Sequence, residues 1–248
     1  MQLIVSETYS PSFNLATEEQ LLTERHDDVL FFYINAKSVI IFCFVTHKEE
    51  KPLNLQWLSL IQAGLDHIGI YTTQGKRKEL YLHDKKITGT ALHITSERQL
   101  YHGKLLYDVQ LQNLITTLTP MNNVTGKAVQ SVRSNVTNIL SQLPSSLTTF
   151  EFLSQLISFF AGYYSTQPIT LSLSEKEIIT QLQKNQYETW KWNWAQSPKS
   201  KLIQTVMWEE KSYELEICIE RGIIVSLSDN CPMAIQELLL GNPANQLF

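Results

Sequence analysis

Cysteine is scarce: Cys43, Cys218 and Cys231 are the three in 248 residues. Their wide spacing gives neither a disulfide framework nor a zinc site, and is the pattern of reduced thiols in a cytoplasmic protein. Long apolar runs are missing too. The longest, Val39 to Val45, is far short of the about 20 residues a membrane-crossing helix needs. Met1 to Val5 has neither the basic start nor the apolar stretch of a signal peptide. A net charge of -4 gives no bulk attraction to nucleic acid or to an anionic membrane. The expectation is a soluble, cytoplasmic protein with no nucleic-acid or membrane partner. Phosphate-binding P-loop, dinucleotide fingerprint, nucleophile elbow and zincin helix are all absent. The six histidines show no ligand spacing with one another or with the cysteines.

What is present is a chain of 43% hydrophobic residues, enough for one large core plus a small satellite. A strand at Leu3–Val5 precedes a helix capped by Ser10 with Pro11 at its first position. On that helix Asn14 and Glu18 share a face, and Glu18-Glu19 reads as a solvated surface. Val29–Ile34 is a strand. Val39–Val45 is continuously apolar, hence one continuous central strand buried on both faces. A helix over Leu55–Ile68 ends at Gly69, followed by a strand at Ile70–Thr73. Leu80–Leu82 and Lys86–Thr88 form a hairpin around His83-Asp84, continued by Ala91–Ile94. Leu105–Val109 is a further strand. Helical stripes follow at Leu111–Leu118 and Val129–Ile139. Thr148-x-x-Glu151 and Ser174-x-x-Glu177 predict two capping boxes. Ser197–Lys201 is the linker candidate, and beyond it come strands near 202–207, 213–219 and 223–227 and a short helix at Pro232–Leu240.

One stretch is chemically pointed: Lys86-Ile87-Thr88-Gly89-Thr90-Ala91. Small residues around a glycine let backbone approach a ligand closely, with a lysine charge beside it. That suits a site where negative charge accumulates on a phosphate or carboxylate. A basic β-turn has the same local sequence.

Four other stretches decide how it reads. Asn14-Leu15-Ala16-x-Glu18-Glu19 resembles the N-terminal helix motif of lipoate–protein ligases. Lys86–Ala91 resembles their K-[VI]-S-G-[SNT]-A motif, and His102-Gly103-Lys104-Leu105-Leu106 their H-G-T-L-L segment. Ser131–Asn138 is similar to S-V-R-S-x-V-x-N. Trp190-Lys191-Trp192-Asn193-Trp194-x-x-Ser197-Pro198 resembles the segment that closes the catalytic domain. These occur in family order over nearly the whole chain.

The resemblance implies an α+β fold, with a mixed-sheet catalytic domain like that of biotin and lipoate ligases over 1–197. A small truncated accessory subdomain would cover 198–248. It implies activation of lipoate by ATP and Mg²⁺ to lipoyl-adenylate. The lipoyl group then passes to a lysine on a lipoyl domain of a 2-oxoacid dehydrogenase or on glycine cleavage H protein. Lys86 takes the place of the catalytic lysine. Thr88, Gly89, Thr90, Ala91, His93 and His102 would line the substrate and adenylate site. Arg77 and Glu79 would lie near nucleotide and metal. Arg133 falls in the family signature.

The sequence also departs from that pattern. The family block R-R-x-S-G-G-G is missing, as though deleted between Ile41 and Phe42. Its glycines offer backbone N–H groups to the adenylate. Arg77-Lys78-Glu79 stands for R-N-D, His93 for an arginine and Lys104 for a threonine. The expectation is a homologue with impaired activity. The alternative is a non-catalytic lipoyl-domain-binding paralogue or half of a two-protein ligase.

Overall fold

The structure is a computed structural model that describes residues 1–35, 39–48, 54–113, 123–126, 134–143 and 147–247. Its strands are β1 (Gln2–Val5), β2 (Val29–Asn35), β3 (Val39–His47), β4 (Thr73–Gln74), β5 (Leu80–Leu82), β6 (Lys85–Lys86), β7 (Thr88–Ile94), β8 (Arg98–Leu106), β9 (Val124–Gly126), β10 (Pro168–Ile169), β11 (Ser200–Trp208), β12 (Lys211–Glu220) and β13 (Ile223–Leu227). The helices are α1 (Pro11–Glu24), α2 (Asn54–His67), α3 (Thr149–Tyr163), α4 (Leu173–Leu182), α5 (Trp190–Asn193) and α6 (Met233–Leu239).

A six-stranded sheet in the order β10-β1-β2-β3-β8-β7 organises the first compact unit. It is mixed, with β1 parallel to β10 and β2, and β2, β3, β8 and β7 antiparallel in turn. β3 lies in the middle of it as one uninterrupted strand, as its apolar run predicts. Because side chains alternate along a strand, the register sorts the residues onto two faces. Leu30, Phe32, Ile40, Phe42, Phe44, Tyr101 and Leu105 point to the face covered by α2 and α3. There they meet Trp57, Leu58 and Ile61 of α2 and Phe152, Leu156 and Phe160 of α3. Phe44 stacks on Trp57 with ring centroids 4.6 Å apart. The opposite face carries Phe31, Tyr33, Ile41, Cys43, His102, Lys104, Gly89, Ala91 and His93, and α1 packs on it.

The helix ends follow capping chemistry. Ser10 accepts from the N–H of Phe13 ahead of Pro11, and Thr148 with Glu151 makes the predicted box. The second box is displaced by one pair: Ser172 and Glu175 form it, rather than Ser174 and Glu177. Ser172 has the extended backbone a cap requires, whereas Ser174 already lies inside α4. Ser172→Ala is therefore expected to lower stability by about 1 kcal/mol, and Ser174→Ala by much less, in urea unfolding.

Other boundaries move as well. Of Ile70–Thr73 only Thr73 joins a strand, with Gln74. β8 begins seven residues ahead of the expected strand, so His102 and Gly103 lie in the sheet interior. The stripe ending at Ile139 does not give an α-helix in its described part: Lys86 bridges Val136, and a single 3-10 turn follows at Leu140–Gln142. Leu114, Ile115, Leu118, Val129, Val132 and Arg133 lie outside the described residues.

The second unit is a four-stranded antiparallel sheet, β13-β12-β11-β9, with α6. Leu202, Leu215, Ile217, Ile219, Ile224 and Ile235 form its core. Residues 1–113 and 134–183 fall in the first unit and 123–126 and 184–247 in the second. The division between Gln183 and Lys184 precedes the linker candidate at Ser197. The Trp190 indole N–H bonds the Arg221 carbonyl at 3.3 Å within the second unit.

Candidate active site

Lys86 is anchored through its backbone. Its N–H donates to the Asn135 carbonyl at 2.8 Å, and its own carbonyl accepts from Thr137 N–H at 3.1 Å. The next residue, Ile87, is fully buried. Ile87 N–H bonds the Leu80 carbonyl at 3.0 Å and its carbonyl receives Leu106 N–H at 2.9 Å. The chain is thus handed from the small β4-β5-β6 sheet to the large one at Ile87. That fixes Lys86 at the junction while its side chain stays half-exposed. The turn before it, His83-Asp84, has φ of 47° and 63°, the left-handed pair of a tight hairpin turn.

The residues that follow separate by face. Gly89, Ala91 and His93 share a face with His102 and Lys104, while Thr88 and Thr90 point the other way. Thr88 is buried and its hydroxyl accepts the Leu80 N–H at 2.7 Å. Thr90 donates to the Lys78 carbonyl at 3.0 Å. Both hydroxyls hold the hairpin itself. His93 and Ala91 are exposed.

At the other end of the same row lies a cluster that the sequence assigns wrongly in part. Ala91, His102, Cys43 and Phe31 are successive cross-strand partners. Over Cys43 and His102 sits Glu18, only 7% exposed, not the solvated residue that its neighbour Glu19 suggests. Glu18 Oε1 accepts from Tyr33 Oη at 2.5 Å and from Cys43 Sγ at 2.7 Å, and lies 2.9 Å from His102 Nδ1. A carboxylate meeting three polar partners tolerates burial. Asn14, one turn earlier, holds the helix to Asn35 by a side-chain hydrogen bond of 3.1 Å. The i, i+4 spacing of Asn14 and Glu18 was the legible sign that both face inward.

Burial, with Glu18 beside it, pushes the Cys43 thiol well above the ordinary thiol range. Both Cys43 and Glu18 approach the same imidazole nitrogen, Nδ1. A nucleophile–base pair needs the carboxylate on the far nitrogen instead, so this cluster holds a neutral thiol.

Residues 36–161 match the lipoyl protein ligase A/B catalytic domain. The chain belongs to the lipoate-protein ligase family. Lipoate-protein ligase LplJ of Bacillus subtilis is 30% identical over 262 residues, covering 86% of this chain and 79% of that protein. Three solved structures share the fold. P. falciparum LipL1 in complex with lipoate has a TM-score of 0.63 at 16% identity, over 98% of this chain and 90% of the other. Lipoate-protein ligase A bound with ATP has a TM-score of 0.61 at 17% identity, over 77% and 97%. The bipartite ligase of Thermoplasma acidophilum, described with its E2 lipoyl domain, has a TM-score of 0.59 at 16% identity, over 77% and 95%. No helix among the described residues is long and apolar enough to cross a membrane.

Within this lipoate-protein ligase family member, Glu79 and Arg77 occupy the turn ahead of β5. Glu79 is buried. Its Oε1 accepts from Tyr81 Oη at 2.9 Å, and Oε2 has no hydrogen-bond partner among the described residues. Arg77 is exposed. The site's thiol also has a checkable behaviour. Glu18→Gln removes the adjacent negative charge, so the Cys43 pKa falls and native-state alkylation at pH 8 speeds up by about threefold to tenfold. Burial, the larger cause, persists and keeps Cys43 slower than a free thiol. An unchanged rate would show that Glu18 does not control it.

Proposed function

We propose that this chain activates lipoate with ATP to lipoyl-adenylate on the Lys86–Gly89 side of the sheet and passes the lipoyl group to a carrier lysine. The observation that carries the reading is the backbone clamp on Lys86. It holds a half-exposed cation three residues ahead of Gly89, whose face of the sheet carries the Glu18–His102 pair further along. A point positive charge held there meets the charge that develops as a carboxylate attacks the α-phosphate. Gly89, Ala91, His93 and His102 present themselves on that face. Thr88 and Thr90 contribute by fixing it.

Mg²⁺ accompanies ATP and takes hard oxygen donors. The Glu18–Cys43–His102 donor set offers sulfur and nitrogen and does not suit it. The partnerless Glu79 Oε2 is the oxygen donor that would hold it, and the ion would there supply charge neutralisation for the nucleotide. Lipoyl domains of 2-oxoacid dehydrogenases or glycine cleavage H protein are the proposed acceptors, in a cytoplasmic setting. The Thermoplasma relative's E2 lipoyl domain supports the first.

Lipoate-dependent exchange of pyrophosphate into ATP tests this reading. Exchange by the wild-type chain, lower than that of a relative carrying the R-R-x-S-G-G-G block, is the expected result. The absence of that block favours one second reading, a non-catalytic lipoyl-domain binder or half of a two-protein ligase. Capture of a lipoyl domain with no exchange would select it.

A further inference from the structure

Lys104 stands on the face just described, directly across from Gly89 in the β7–β8 register and two residues along from His102. Its stem lies over the glycine: a Cβ built on Gly89 would sit 3.1 Å from Lys104 Cε and 3.8 Å from its Cγ. The side chain is exposed. Lys176, Lys199 and Lys201 each meet a carboxylate, whereas Lys104 has no carboxylate partner among the described residues. It is thus an uncommitted ammonium at the end of a stem that leans over the one residue of β7 whose missing side chain leaves the backbone open.

We infer that Lys104, its stem lying over Gly89, is a second cationic contact, besides Lys86, for the phosphate of the forming acyl-phosphate anhydride. The inference rests on the ligase reading above. When the lipoate carboxylate oxygen bonds to the α-phosphorus, the bond to pyrophosphate breaks and its electron pair leaves with the pyrophosphate oxygen. Charge builds on the α-phosphate oxygens and on the leaving group together. One lysine neutralises only part of that charge. A second ammonium carried over the glycine meets more of it, in a site where fixed cations need no reorganisation. The methylenes of Lys104 would meanwhile cover apolar ligand surface at Gly89, as lysine stems do.

The test compares the wild-type chain with Lys104→Met, which keeps the stem and removes the charge, and Lys104→Arg, which restores the charge. In lipoate-dependent pyrophosphate exchange, Lys104→Met is expected to lower kcat by about tenfold to a hundredfold, the worth of one hydrogen bond to a charged group. KM for lipoate should stay near the wild-type value, and Lys104→Arg should recover most of the loss. Full exchange by Lys104→Met, in a preparation where Lys86→Ala is silent, overturns the inference and leaves the ligase reading intact. Equal losses in the Met and Arg variants overturn it as well, because charge would then not be what the position supplies. A silent wild-type chain sinks the ligase reading and this inference with it.

Discussion

Lys86→Ala is expected to abolish lipoate-dependent pyrophosphate exchange, a loss on the order of a hundredfold to a thousandfold or more, with the fold retained. The two parts of that result have separate origins. The structural work of this residue is done by its main chain, through the bonds to Asn135 and Thr137 and the β5 pairing to Tyr81, and alanine keeps all of them. The ammonium adds nothing to the core, being half-exposed. Thermal unfolding of the variant should therefore lie within a few degrees of wild type, while exchange falls to background. Exchange at the wild-type rate would remove Lys86 from the chemistry and reduce the motif to a surface hairpin.

The largest stability effect belongs to Gly103. It pairs with Phe42 across β3 and β8, and a Cβ there would stand 2.1 Å from Phe42 Cζ, with two more ring atoms within 2.8 Å. Phe42 is fully buried, with Phe44 and Tyr101 each 6.2 Å away by ring centroid. Gly103→Ala is expected to cost at least about 1–3 kcal/mol, or roughly 2–4 °C in Tm for each kcal/mol in a chain of this size. Shortening the opposing side chain should relieve it. Phe42→Leu destabilises alone by opening a void, but Gly103→Ala with Phe42→Leu should be more stable than the sum of the two losses predicts. Simple additivity in that double-mutant cycle would show that the two positions do not press on each other.

The α+β class came from the family resemblance, whereas the apolar β3 strand, the hairpin around His83-Asp84 and the helix start at Ser10 were legible because each has a local cause. These are an unbroken apolar run, a turn pair that tolerates positive φ, and a cap followed by proline. The second capping box was misplaced because Ser172 and Ser174 both precede a glutamate by three residues. Only the backbone at Ser172 distinguishes them. Glu18 was misread for a different reason. Its shared face with Asn14 was the one local sign of burial, and the adjacent Glu19 masked it, because the partners Tyr33, Cys43 and His102 come from three separate strands. Likewise nothing in Lys86–Ala91 states that its threonines face the core side. That follows from the pairing of β7 with β8, a property of the assembled sheet.

The central strand has a cost in time. β2 and β3 meet through a short connection, but Cys43 must wait for His102, 59 residues later in the chain. At about 5–20 residues per second, synthesis leaves this apolar strand without its second neighbour for about 3–12 s. During that interval its open edge is a template for pairing with other chains. Closing a loop of that length also places the sheet among slowly formed, non-local structures. The Glu18–Cys43–His102 cluster can assemble only after β8 has docked, so the burial of Glu18 and the completion of the sheet arrive in the same folding event.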